Sequence, residues 1–157
     1  MCADIFTPEK RSDVMRKIKN KNTKPELAVR SLSHRLGFRF RLHRNDLPGK
    51  PDMVFPKYQL CLFVHGCFWH QHPGCKYAYQ PKSRPEFWSS KLCKNVLRDM
   101  KVQQELITRG WKVGVIWECE TKNPDLLEQR LIAILGKPRA EIVLPSARVG
   151  LDEISPQ

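Results

Sequence analysis

The stretch Tyr58 to His65, YQLCLFVH, limits the fold of this chain more than any other. It is apolar on both faces, so it reads as a central strand of a sheet and not as an edge. A strand of that kind has to be covered on both sides, and the helical patterns before and after it supply the covering layers. Its end leads straight into polar chemistry. His65 is followed by GCFWHQHPGC, in which Cys67, His70, His72 and Cys75 crowd around Phe68 and Trp69. Loops are usually made of small polar residues and turn formers, so large aromatics among metal-ligand types call for a special reason.

The flanking elements follow from local signals. Thr7-Pro8-Glu9 opens a first helix, with proline where its missing N–H does no harm and an acid at the positive end of the dipole. Val14, Met15 and Ile18 give it only a thin apolar stripe among many lysines and arginines, so residues 7–21 read as a basic helix suited to a phosphate backbone. Otherwise it is a solvated charged face. Thr23-Lys24-Pro25-Glu26 is a capping-box pattern that starts a second helix, which stops at Gly37. Phe38, Phe40 and Leu42 alternate with Arg39, Arg41 and His43, the pattern of a strand with one buried face. Met53 to Phe55 is a short strand and Pro56-Lys57 a turn. Ser83-Arg84-Pro85-Glu86 repeats the capping box before a long third helix, expected to bury Phe87, Trp88, Leu92, Val96, Met100 and Leu106 and to reach Arg109. Trp111 to Trp117 reads as a buried strand, and Asn123-Pro124-Asp125 caps a last helix ending at Gly136. The expected fold is an α/β sandwich: two helices, a three-strand meander, a long helix, a strand and a helix around a mixed sheet. Residues 1–157 read as a single domain, with a core at 23–136 and a weakly patterned tail at 137–157 that holds one apolar segment, Ile142 to Leu144.

Lysine and arginine number 28 against 16 acids, for a formal charge of +12. An excess of that size points to a polyanion partner. No apolar run approaches the roughly 18 residues a membrane span needs, which leaves nucleic acid ahead of phospholipid. The N-terminal MCADIFTPEK has no signal-peptide h-region, so a cytoplasmic, reducing setting is expected. The six cysteines are then expected to bind metal or be buried, not to form disulfides.

Three constellations could do chemistry. Cys67, His72 and Cys75 are spaced to meet one tetrahedral ion, and Cys119, just past a strand end, is the best fourth ligand for a structural zinc. Asp52 stands at a strand start and suits a hard cation such as Mg²⁺, while His65 or His70 could take a proton from attacking water. Phe68, Trp69 and Trp88 could act as wedges that enter a weakly paired base step. They could equally fill a small core beneath the loop.

The runs LPGKPD (Leu47 to Asp52), FVHGCFWHQHPGC (Phe63 to Cys75), EFWSSKLCKNVLRD (Glu86 to Asp99) and GWKVGVIWEC (Gly110 to Cys119) resemble the very-short-patch-repair (Vsr) mismatch endonucleases across residues 7–136. The resemblance implies a restriction-endonuclease-like fold, a structural zinc, and a Mg²⁺-dependent nick 5′ of the thymine in a T:G mismatch. It implies Asp52 and the Val64 carbonyl as Mg²⁺ ligands, His70 as the base, and His65 and Glu26 as supports for phosphate and water. Cys67, His72, Cys75 and Cys119 would hold zinc, and Phe68, Trp69 and Trp88 would wedge double-stranded DNA. It is compatible with a monomer and with mismatch-repair proteins as partners. Val64 stands where some members carry threonine, and the Gln71-Pro73-Gly74 form of the loop is less rich in histidine. The acid-x-lysine half of the usual nuclease signature is replaced by Phe63-Val64-His65. Two other readings are a sequence-specific restriction-type endonuclease and a zinc-stabilised DNA-binding module without catalysis.

Overall fold

The computed structural model describes residues 7–17 and 21–137. The apolar segment Ile142 to Leu144 lies outside the described residues. Helix α1 (Pro8–Lys17) starts where the Thr7 hydroxyl accepts the Lys10 N–H at 3.3 Å. Helix α2 (Lys24–Arg35) is capped by Thr23, whose Oγ1 accepts the Glu26 N–H, while the Glu26 carboxylate reaches back to accept the Thr23 hydroxyl and the Asn22 N–H, both at 2.9 Å. Gly37, at φ +82°, ends it in the left-handed region where a side chain is strained.

Strands β1 (Met53–Phe55), β2 (Leu60–His65) and β3 (Lys112–Trp117) form one mixed sheet in the order β1-β2-β3. β1 runs antiparallel to β2 with Met53 opposite Leu62, and β3 runs parallel to β2 from Leu60/Lys112 to His65/Trp117. The strand read as central is central. Its alternate residues divide between two cores, as the period of two requires. Leu60 and Leu62 join Met53, Phe55 and Ile116 under α2 and α4 (Pro124–Leu135), while Cys61 and Phe63 join Val54 under α3 (Pro85–Thr108). At Gly114 the α4 layer comes so close that an added Cβ would lie 2.7 Å from Ile134 Cγ2 and 2.9 Å from Leu62 Cδ1. Asn123 caps α4 by accepting the N–H groups of Asp125 and Leu126.

Four expectations need correction. Phe38 to His43 keeps its alternation of burial, but it is not a strand; only Arg41 pairs with Val54, through N–H···O bonds of 2.8 and 2.9 Å. β1 offers just three residues to pair with, and His43 turns to φ +57°, so the extended run ends there. β3 lies at the sheet edge and is only half-buried. The capping box of α3 is replaced by Arg84 in the left-handed region with no side-chain cap. Phe87 and Met100 are exposed, at 47% and 62%, instead of buried. Both stand roughly 100° round the helix from the stripe of Trp88, Leu92 and Leu106 that faces the protein.

Candidate active site and metal centre

The C-terminal ends of β2 and β3 and the start of β1 meet at one edge of the sheet, where a cleft of about 1400 Å³ opens. Asp52, just before β1, reaches across so that its Oδ2 accepts the Val64 N–H at 2.7 Å. Burial pushes its carboxyl up to about 6; the Val64 N–H opposes that shift, and the nearby Glu26 adds to it. Glu26 is itself buried, and both its oxygens are engaged at the start of α2, with Arg30 Nη2 3.0 Å away. It therefore faces the cleft as a fixed, partly neutralised carboxylate.

His65 ends β2, and its ring stacks on His70 with centroids 3.9 Å apart and planes 10° from parallel. Burial, then the neighbouring His70, holds His65 down to about 4, so it is neutral at physiological pH and brings no positive charge to a phosphate. His70 Nδ1 lies 2.5 Å from Asp99 Oδ2 on α3. With the Nδ1 proton directed at that carboxylate, Nε2 is left to accept a proton. Arg16, Lys21, Lys24, Lys50 and Arg98 line the same cleft and surround the acids with positive charge.

The second cluster is built from the loop itself and Cys119. Cys67, His72, Cys75 and Cys119 place their ligand atoms within 4.8 Å of one another. Sheet register explains why Cys119 joins a loop 44 residues away: His65 pairs with Trp117, and both cysteines come two residues later. His72 Nδ1 stands 3.7 Å from Cys67 Sγ and 3.4 Å from Cys119 Sγ. Tetrahedral zinc with its usual bond lengths sets that S···N edge at about 3.6 Å. The donor set is thus compatible with a structural zinc. Burial pushes the Cys67 thiol up to about 12, whereas a bound cation would hold it as thiolate. His72 is buttressed by Trp117, stacked at 4.2 Å.

The three rings read as wedges do come together: Phe68 lies 5.0 Å from Trp69 and 5.6 Å from Trp88, with Trp69 and Trp88 6.0 Å apart. Phe68 and Trp69 are half-buried and Trp88 is buried. Asn95 Nδ2 donates to the Trp69 carbonyl at 3.1 Å, tying this loop to α3.

Sequence reasoning missed Asp99 and Arg30. The signals were present: Asp99 follows Asn95 by four residues on the face of α3 that also carries Leu92 and Leu106, and Arg30 follows Glu26 by four on α2. An acid inside a buried helical stripe needs a partner.

An ionisable acid beside a histidine–carboxylate pair, in a cleft rimmed by cations, is the equipment of a phosphodiester hydrolase that works on nucleic acid. Comparison with known proteins narrows this. The profile of the family described as DNA mismatch endonuclease Vsr matches residues 3–76. Over 132 residues, 84% of this chain and 96% of the relative, it is 52% identical to the type II nicking enzyme V.XorIIP of Xanthomonas oryzae pv. oryzae. It is 48% identical to the type II nicking enzyme V.NmeAIP of Neisseria meningitidis, covering 82% of this chain and 91% of that one. It is 39% identical to the DNA mismatch endonuclease Vsr of Escherichia coli, covering 80% of each. The chain belongs to the Vsr family and is a DNA nicking endonuclease. No helix among the described residues is long and apolar enough to cross a membrane.

Proposed function

We propose that this protein nicks one strand of duplex DNA on the 5′ side of the thymine in a T:G mismatch, by Mg²⁺-assisted hydrolysis, and that a short preferred sequence surrounds the mismatch. The observation that carries the hydrolytic part is the convergence of Asp52, His65, His70 and Asp99 in one basic cleft. Asp52 and the Val64 carbonyl are hard oxygen donors of the kind Mg²⁺ accepts while keeping several waters. Bound there, the cation would supply Lewis-acid polarisation of the scissile phosphate. His70 takes the proton of the attacking water at Nε2, and Asp99 fixes the ring and stabilises it once charged. Neutral His65 packs His70 in place. Glu26, held by Thr23 and Arg30, is a fixed acceptor in the same cleft.

The scaffold is read as restriction-endonuclease-like because the acid opens a short strand at the lip of a mixed sheet. Mismatch selectivity rests on the Phe68, Trp69 and Trp88 cluster, since unstacking a base step costs least where pairing is already weak.

The relatives named type II nicking enzymes favour a second reading, in which a matched sequence is the target. Strand-labelled duplexes, matched or carrying T:G in varied sequence contexts, separate the two. A nick confined to the T-containing strand of T:G duplexes supports mismatch recognition. Equal nicking of a matched sequence supports the second reading, and binding without cleavage sinks both.

A further inference from the structure

The three rings just named are not the ones that present most surface. Trp88 is buried at 9% exposure, whereas Tyr79 stands 62% exposed with its ring 5.1 Å from Phe68 and tilted 36° to it. Two other rings among the described residues are exposed, and cations cover both: Phe87 has the Arg84 guanidinium 5.0 Å and the Lys91 ammonium 5.7 Å from its centre, and Tyr77 has Lys122 Nζ at 3.8 Å. Tyr79 thus continues the aromatic cluster outward to solvent.

Its segment is also anchored. Gln80 Nε2 donates to Gln71 Oε1 at 2.9 Å, and Gln71 Nε2 donates to the Phe68 carbonyl at 2.7 Å, so a chain of two hydrogen bonds links the residue after Tyr79 to the backbone of the wedge. On the other side the Ala78 N–H bonds the Cys75 carbonyl at 3.0 Å, and Lys122 Nζ sits 3.8 Å over the Tyr77 ring. With its flanking residues tied down and its ring against Phe68, Tyr79 loses less freedom when a base stacks on it than a ring on an untethered segment.

We propose that Tyr79 is the outer stacking face of the aromatic cluster and receives an unstacked base beside the mismatch, which makes it a specificity-determining residue of the nicking reaction; this rests on the mismatch-wedge reading above. The ligand is the face of a nucleobase, and any ring of the right size serves, so the phenol hydroxyl is dispensable.

The test uses the full chain and a T:G duplex with 2-aminopurine next to the mismatch, with Ca²⁺ replacing Mg²⁺ for binding. Tyr79→Ala should weaken binding to this duplex about tenfold, the scale of one lost base–aromatic stack, and should alter the bound 2-aminopurine fluorescence. Tyr79→Phe should match the parent, and affinity for matched duplex should change less than about twofold in either variant. Tyr79 is exposed, so unchanged melting and zinc content will show that the fold is intact. If Tyr79→Ala binds as the parent does while the parent still perturbs 2-aminopurine, this inference fails and the wedge reading stands. A parent that leaves 2-aminopurine unperturbed overturns both.

Discussion

His70 Nδ1 and Asp99 Oδ2 lie 2.5 Å apart although 29 residues separate them, one in the loop after β2 and the other in the middle of α3. Neither residue is fully buried, with side-chain exposures of 23% and 16%, so the pair borders the cleft and is screened only in part. That contact engages Nδ1 of His70 and leaves Nε2 as the ring nitrogen available to the cleft that the residue lines.

Replacing Asp99 with asparagine keeps the shape but removes the charge that orients and stabilises the imidazolium. Single-turnover nicking should fall by roughly 100-fold or more, within the range of a general base that has lost its alignment. DNA affinity should stay within about twofold, because the side chain is not one of the cations at the rim. A variant that nicks at the parental rate would remove Asp99 from the mechanism.

Asp52 gives a prediction about stability. Its carboxyl holds its proton up to about 6 in the folded protein, against an ordinary value of 3.8. Between those values the folded state binds more protons than the unfolded one, so stability falls as pH rises through the window, and the whole penalty is present above it. Asp52→Asn should therefore stabilise the Mg²⁺-free protein at pH 7.5 by up to about 3 kcal/mol, with the gain vanishing near pH 4, while nicking is abolished. Thermal melts of both proteins across pH 4 to 8 read this directly, and a loss of stability in the variant at pH 7.5 would contradict it.

The elements that could be read from the sequence are those whose causes are local. Thr23 and Asn123 announce helix starts by chemistry that acts within three residues, and β2 announces its central place by being apolar on both faces. Cys119 could be proposed as a ligand because it stands just past the end of a strand, where chain ends of a sheet converge. The near-strand at Phe38 to His43 could not be told from a real one, since its side chains alternate correctly and the deciding fact is the backbone turn at His43. Asp99 was invisible as a partner of His70 because that contact depends on the phase of α3 against a loop whose path no local rule dictates. The exposure of Tyr79 relative to Trp88 is hidden for the same reason.

Gly114 tests the close approach of α4 to the sheet. A methyl group there would need Ile134 and Leu62 to withdraw from 2.7 and 2.9 Å, on the face where the larger core is packed. Gly114→Ala should cost about 1–3 kcal/mol, the usual range for overpacking, seen as a lower urea midpoint at constant slope. The site is carried by the ends of β2 and β3, so nicking by the folded fraction should persist. A midpoint equal to the parent's would mean that the layers can separate freely.

The cysteine cluster makes the sharpest structural prediction, because sheet pairing and metal binding there depend on each other. Cys119 reaches the loop only while Trp117 pairs with His65, and the loop that carries His70 has its turn between Cys67 and His72 of the same cluster. Cys119→Ala should lose bound zinc and lower the melting temperature by about 10 °C or more, since a lost metal site removes several kcal/mol. Nicking should fall with it, as His70 and Trp69 share the untethered loop. Cys93→Ala, at an exposed position on α3 away from the cluster, should change none of these. Zinc measured by atomic emission, alongside melts with and without a chelator, decides the matter. A Cys119→Ala protein that keeps parental stability and stoichiometric zinc would show that the four ligands do not act as one site.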